Sequence, residues 1–249
     1  MRSLGAVLIA LVLLPAPALA EHPAACRAAE SQVVASFPLP RVAKALTDKR
    51  LDILVLGAGS SVLPGRDGAA KAYPVRLQAA LTEKFPGVAV RVETDVRRGR
   101  TAADMTEKLG TVLAATKPAL LIWQTGTVDA MRAVEPDKFA AALDSGVNAA
   151  RSAKADVVFI NAQYSPRTES IIALGNYLEN MRWVALQQEL LLFDRFGIMQ
   201  LWSERNVFDF HAPTKKLDTA EQVHDCIGRL LADLIAEGVR LAAPPGGGR

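Results

Sequence analysis

The segment LDILVLGAGSSVLPG, residues 51–65, decides how the rest of the chain is read. After Asp52 comes a short aliphatic run, Ile53-Leu54-Val55-Leu56, which stops at Gly57-Ala58-Gly59-Ser60-Ser61. That pattern predicts a buried strand delivering a small-residue turn to the edge of a sheet. In α/β proteins this edge is where ligands bind. A dinucleotide-binding turn would need a third glycine at Val62 and an immediate helix, whereas Pro64, Gly65 and Gly68 carry the chain away as a loop. A nucleophile elbow is absent, because no G-x-S-x-G pentapeptide occurs in the chain. The third reading is a serine nucleophile placed just after the first strand.

Downstream, residues 73–85 have helical spacing at Leu77, Leu81 and Phe85, stopped by Phe85-Pro86-Gly87. Residues 88–92 alternate as a second strand, and 94–100 form a basic loop. Thr101 is an N-cap candidate for a helix with the inner face Met105, Leu109, Val112 and Leu113. Residues 119–123 are continuously apolar, as in a strand covered on both faces, and deliver a second turn, Gln124-Thr125-Gly126-Thr127-Val128-Asp129. A helix over 137–152, a strand over 156–160, a long helix over 168–191, a short strand at 192–193 and a helical piece over 195–202 follow. Residues 206–216 are irregular, 219–237 form the last helix, and 243–249 are a Pro/Gly tail expected to be disordered. Alternating strands and helices predict a parallel sheet with right-handed crossovers, a three-layer α/β/α sandwich.

The 249 residues are 50% hydrophobic and 22% charged with a formal net charge of +3, which describes one globular domain with ample core. No basic run suggests nucleic acid, and no His/Cys/Asp/Glu spacing suggests a metal; no cofactor is implied. Arg2, the apolar run 6–14 and Ala18-Leu19-Ala20 form a signal peptide over residues 1–20, leaving a single domain over 21–242, with no membrane span after cleavage. Export to the periplasm or beyond makes a Cys26–Cys226 disulfide the simplest use of the only two cysteines; two buried free thiols are the alternative.

Taken in order, these segments resemble the SGNH/GDSL hydrolase family over nearly the whole mature chain. Residues 57–61 resemble its first block, Gly99-Arg100-Thr101 its glycine block, and Gly126-Thr127-Val128-Asp129 its third, usually G-T-N-D. Tyr73-Pro74-Val75-Arg76-Leu77, Phe85-Pro86-Gly87, Gln163-Tyr164-Ser165-Pro166-Arg167 and Arg195-Phe196-Gly197-Ile198-Met199 are similar to exported bacterial members. The resemblance implies a flavodoxin-like parallel sheet. It also implies a serine nucleophile after strand one, a histidine base with an aspartate three residues before it, and an oxyanion hole of two amides and an asparagine side chain.

The chemistry does not carry over residue by residue. Gly59 stands at the nucleophile position and Val128 at the asparagine. Counting back from Cys226 puts Asp218 at the histidine and Lys215 at its aspartate. Only Gly99 is retained. A relocated triad would use Ser60 or Ser61, His211 as base and Asp209 as orienter. Of the other histidines, His22 lies in a flexible N-terminus and His224 packs or caps on the last helix. The amides of Gly57, Gly59, Gly99 and Gly126, beside Val128, define a pocket, with Arg98 and Arg100 as charges for an acidic ligand or, alternatively, as part of a solvated loop. The expectation is an exported, catalytically degenerate protein binding a small acylated or acidic ligand, such as an acylated carbohydrate or lipid. The alternative is an active ester hydrolase with the relocated Ser/His pair.

Overall fold

The computed structural model describes residues 22–211 and 217–243; the proposed signal peptide, part of the irregular segment and most of the tail lie outside them. In chain order the elements are α1 (Ala24–Arg27), α2 (Pro40–Thr47), β1 (Arg50–Gly57), α3 (Tyr73–Lys84), β2 (Ala89–Val96), α4 (Ala102–Thr106), α5 (Leu109–Thr116), β3 (Leu120–Gln124), α6 (Thr127–Met131), α7 (Pro136–Ser152), β4 (Asp156–Ile160), α8 (Pro166–Glu169), α9 (Gly175–Gln187), β5 (Leu191–Phe193), α10 (Arg195–Glu204) and α11 (Leu217–Ala242). The five strands are all parallel, in the order β2-β1-β3-β4-β5.

The two-residue period of the strands divides the core. Ile53, Val55, Ile122, Val158 and Ile160 face one layer, where they pack with residues of α2, α3, α10 and α11. Leu54, Leu56, Leu121, Trp123, Val157 and Phe159 face the other, against residues of α4, α5, α7 and α9. This is the three-layer α/β/α sandwich expected, and parallel strands covered on both faces explain why their sequences read as unbroken apolar runs. All five strands point their C-terminal ends at the same edge, so residues far apart in sequence meet there.

Several boundaries differ from expectation. The helix expected over 168–191 is instead α8, which has Ser165 as its N-cap and Pro166 in its first turn, a bend, and then α9. In the bend, Leu174 turns inward onto Ala162 and Leu178, and Gly175 and Asn176 offer little propensity to oppose the break. The helix after Thr101 divides into α4 and α5, with Thr101 and Asp104 forming a reciprocal capping box. Strand β2 continues to Val96, taking in the start of the supposed basic loop. Helix α11 starts at Leu217, which winds Asp218 into its first turn.

Cys26 and Cys226 are bonded, tying α1 to α11 across a sequence separation of 200 residues. His22, expected to be flexible, is held on the same helix by Asp233, Nε2 to Oδ2 at 2.5 Å.

Candidate functional site

Strand β1 ends at Gly57, and Gly59–Ser61 form one turn of 3-10 helix at the C-terminal edge of the sheet. Gly57 is required there, since a Cβ would lie 2.1 Å from Ser61 Oγ. Ser61 is fully buried and donates to Gln124 Oε1 at 3.0 Å, at the end of β3. Gln124 Nε2 donates to Ser60 Oγ at 2.5 Å. Arg195 Nη1 donates to the Ser60 carbonyl at 3.0 Å and to Gln124 Oε1 at 3.1 Å. A guanidinium can only donate, so Arg195 fixes which way the Gln124 amide points. The Ser60 hydroxyl oxygen thereby receives a hydrogen bond on one of its two lone pairs.

Arg195 is the first residue of α10 and shares its buried face with Ile198, Met199 and Trp202. Its side chain is 1% exposed. Burial lowers its pKa to about 10, so the charge persists at neutral pH. The neighbouring Asp194 does not balance it: that carboxylate caps α10 by accepting from the Gly197 amide and is otherwise taken up by Asn161 Nδ2 at 2.6 Å and Arg182 Nη2 at 2.8 Å. Burial also pushes the Tyr73 hydroxyl, beside Ser61 and Arg195, up to about 12.

His224, on α11, accepts the backbone N–H of Tyr73 at Nδ1, 3.0 Å away, and so caps the start of α3. Burial, with Arg195's charge second, brings its pKa down to about 3. The ring is therefore neutral with its proton on Nε2, and the nitrogen that would serve as a base is already engaged.

His211 and Asp209 are exposed, and their recorded contact runs from the His211 backbone N–H to Asp209 Oδ1. Among the described residues no serine hydroxyl is hydrogen-bonded to a histidine ring, so the structure brings Ser60 to Gln124 and Arg195 rather than to His211. Neither His211 nor the family's base position faces the first turn through a hydrogen bond; Asp218 is an exposed residue at the start of α11.

The pocket glycines separate into two kinds. The Gly57 carbonyl accepts from the Arg97 amide and Arg100 Nη2, each at 3.3 Å. The Gly126 amide is turned to Asp129 Oδ2 at 3.3 Å. Asp129, 1% exposed, also accepts from the Ala102 amide at 2.9 Å and Thr125 Oγ1 at 3.3 Å, fastening the second block to the third; burial raises its pKa. The amides of Gly59 and Gly99 have no hydrogen-bond partner among the described residues; Gly99 adopts the left-handed φ of +76°, while Gly59 opens the 3-10 turn. Val128, at the third block, is half-buried and packs against the core layer of α4, α5, α7 and α9. Arg100 is bound to Asp95, Nη1 to Oδ2 at 3.0 Å, and so is not the free counter-charge expected of it; exposed Arg98, whose Cγ lies 3.3 Å from where a Gly59 Cβ would stand, forms no ion pair among the described residues.

Sequence reasoning missed Arg195 and the use of Gln124 and Tyr73. A signal for Arg195 was present: it stands at i of the apolar set i+3, i+4 and i+7 formed by Ile198, Met199 and Trp202, where a charge is out of place.

The fold recurs in solved structures. The crystal structure of TesA superposes with a TM-score of 0.58 at 24% identity, covering 74% of this chain and 99% of that one. Axe2, an acetylxylan esterase from Geobacillus stearothermophilus, gives 0.60 at 15% identity over 74% of this chain and 94% of that one. The psychrotrophic esterase EstA from Pseudoalteromonas sp. gives 0.58 at 16% identity over 75% and 97%. These likenesses are of fold, the SGNH-hydrolase sandwich. No curated protein matches by sequence. The profile of the non-GDSL lipase-like family, however, matches residues 25–241, and with that span the chain belongs to the non-GDSL lipase-like family of SGNH/GDSL-type folds.

Proposed function

We propose that this protein is an exported, catalytically silent member of its family that binds an acylated carbohydrate or lipid without turning it over. The observation that carries this reading is the state of the first turn. The nucleophile position is Gly59, and the nearest serine oxygen, that of Ser60, accepts from Gln124 while no histidine accepts its proton. Acyl transfer needs a base aligned on the nucleophile and donors around the oxyanion. Here no histidine ring is aligned on Ser60, and Val128, which has no side-chain donor, stands at the third donor's position. Two amide donors, Gly59 and Gly99, remain unpartnered beside exposed Arg98, and they suit an acyl carbonyl or an acidic group better than any other feature of this edge. A periplasmic or secreted location accords with the signal-like N-terminus and the disulfide.

The competing reading, an active ester hydrolase using Ser60, draws on the partial accessibility of Ser60 and on the esterase activity of Axe2 and EstA. An active-site-directed fluorophosphonate and a panel of short acyl esters decide between them. The expected result is no labelled serine and near-background turnover; labelling of Ser60 or Ser61, with turnover abolished by Ser60→Ala or His211→Ala, would establish the hydrolase instead.

A further inference from the structure

Arg195 carries a full charge inside the protein at the edge where ligands of this fold class bind, and no carboxylate forms an ion pair with it among the described residues. Its partners are all neutral: the Ser60 carbonyl, Gln124 Oε1, and Gln163 Oε1, which Nη2 reaches only at 3.4 Å. Nε is buried with no hydrogen-bond partner among the described residues. The guanidinium is thus satisfied at its Nη1 end, while along the edge formed by Nε and Nη2 it has only the long bond from Nη2 to Gln163. That edge presents two parallel N–H groups, the geometry that receives a carboxylate in bidentate fashion. A buried cation without a counter-charge is costly and is retained where something pairs with it.

We propose that Arg195 is the anchor for a ligand carboxylate, which displaces the Gln163 amide and pairs side-on with Nε and Nη2. Gln163 is placed to yield. It is half-buried, it lies on the loop after β4, and its bond is the longest of the three Arg195 makes. Ser60, also half-buried, flanks the same approach. The assignment rests on the reading of this edge as a ligand pocket and gives that pocket's ligand its charged group. A carboxylate fits better than a phosphate dianion because a single cation and neutral amides surround the position.

The carboxylate has three chemical sources: a short free acid, a sugar acid or a fatty acid. Purified full-length mature protein labelled with 15N is titrated with acetate, glucuronate and octanoate, with glucose and acetamide as neutral controls. The Arg195 Nε–H resonance, assigned by its absence in Arg195→Lys, is followed. The expected result is a saturable shift of that resonance with at least one carboxylate and none with the neutral controls; which acid binds tightest identifies the source. Gln163→Glu supplies a carboxylate from within the chain, so it is expected to shift the resonance in the absence of ligand and to weaken carboxylate binding at least tenfold. An Nε–H unmoved by every acid overturns the assignment, as does binding that is equally tight in Gln163→Glu. If Arg195→Lys does not fold, through-bond correlation from the Arg195 backbone assigns the resonance instead, and Gln163→Glu and the titration decide. Ester turnover with a shifted resonance would overturn the silent-site reading but not this one; no turnover with an unmoved resonance would overturn only this one.

Discussion

Acid should unfold this protein through His224 well before the surface carboxylates titrate. The ring is 5% exposed, and its folded pKa of about 3 lies well below the ordinary histidine value of 6.5. Because the folded value is depressed, the unfolded chain takes the proton first; stability is full above pH 6.5 and falls steadily as pH drops toward 3. At about 1.36 kcal/mol per unit, the two units between pH 6.5 and 4.5 amount to about 2.5 kcal/mol from this one residue, a large share of the ~5–15 kcal/mol by which domains are stable. Buried Asp129 and half-buried Asp156, whose pKa values are raised, act with the opposite sign, and Asp104 and Asp194, whose values are lowered, add acid loss only below the carboxylate range. A single variant isolates the histidine. In His224→Asn the amide oxygen stands close to the place of Nδ1 and can accept from the Tyr73 N–H, while nothing titrates. Urea unfolding at pH 7 and pH 4.5 should show wild type losing about 2.5 kcal/mol more than His224→Asn across that interval. The variant will be weaker at pH 7 because ring volume is lost, but its pH dependence is the quantity of interest. Equal slopes in the two proteins would refute the assignment of His224 as a neutral cap held by burial beside a cation.

Reduction of Cys26–Cys226, or Cys26→Ser with Cys226→Ser, should lower the melting temperature markedly, since closing a loop of 200 residues is worth up to about 5 kcal/mol by chain entropy; a melting curve indifferent to reductant would contradict this. Gly59→Ser should fold with little loss, because its Cβ meets only the flexible stem of Arg98, and should still fail to hydrolyse p-nitrophenyl acetate because no base is aligned with it. Gly146→Ala should destabilise by several kcal/mol, about 2–4, because the added methyl lies 2.2 Å from Trp123 in the core, and calorimetry would show it.

The fold was legible because it rests on local signals that the buried sheet reinforces. Leu54 and Leu56 serve one face and Ile53 and Val55 the other, so β1 had to be apolar throughout, and Gly57 had to end it. Gly99, Thr101 and the buried cysteine pair were equally plain. The site was only half legible. Gly59 and Val128 stand where the family resemblance expects other residues, but the contacts around them join residues far apart in sequence, 151 positions in the case of Tyr73 and His224, and no periodicity joins Gln124 to Arg195 or His224 to Tyr73. The helix break between α8 and α9 escaped for a similar reason: Leu174 is pulled inward by Ala162, a contact that only the folded chain defines.

The bond between α1 and α11 has a consequence for proteolysis. Apart from residues near its two ends, the chain lies inside one covalent ring, so a single cut in any loop between Cys26 and Cys226, including the bend at 170–174, releases no fragment. The nicked molecule remains one species whose halves stay at high effective concentration and keep their parallel strands together. Only two cuts, or one cut with reduction, can separate a piece of the sheet, which makes the ring a form of damage tolerance independent of how firmly the core is packed.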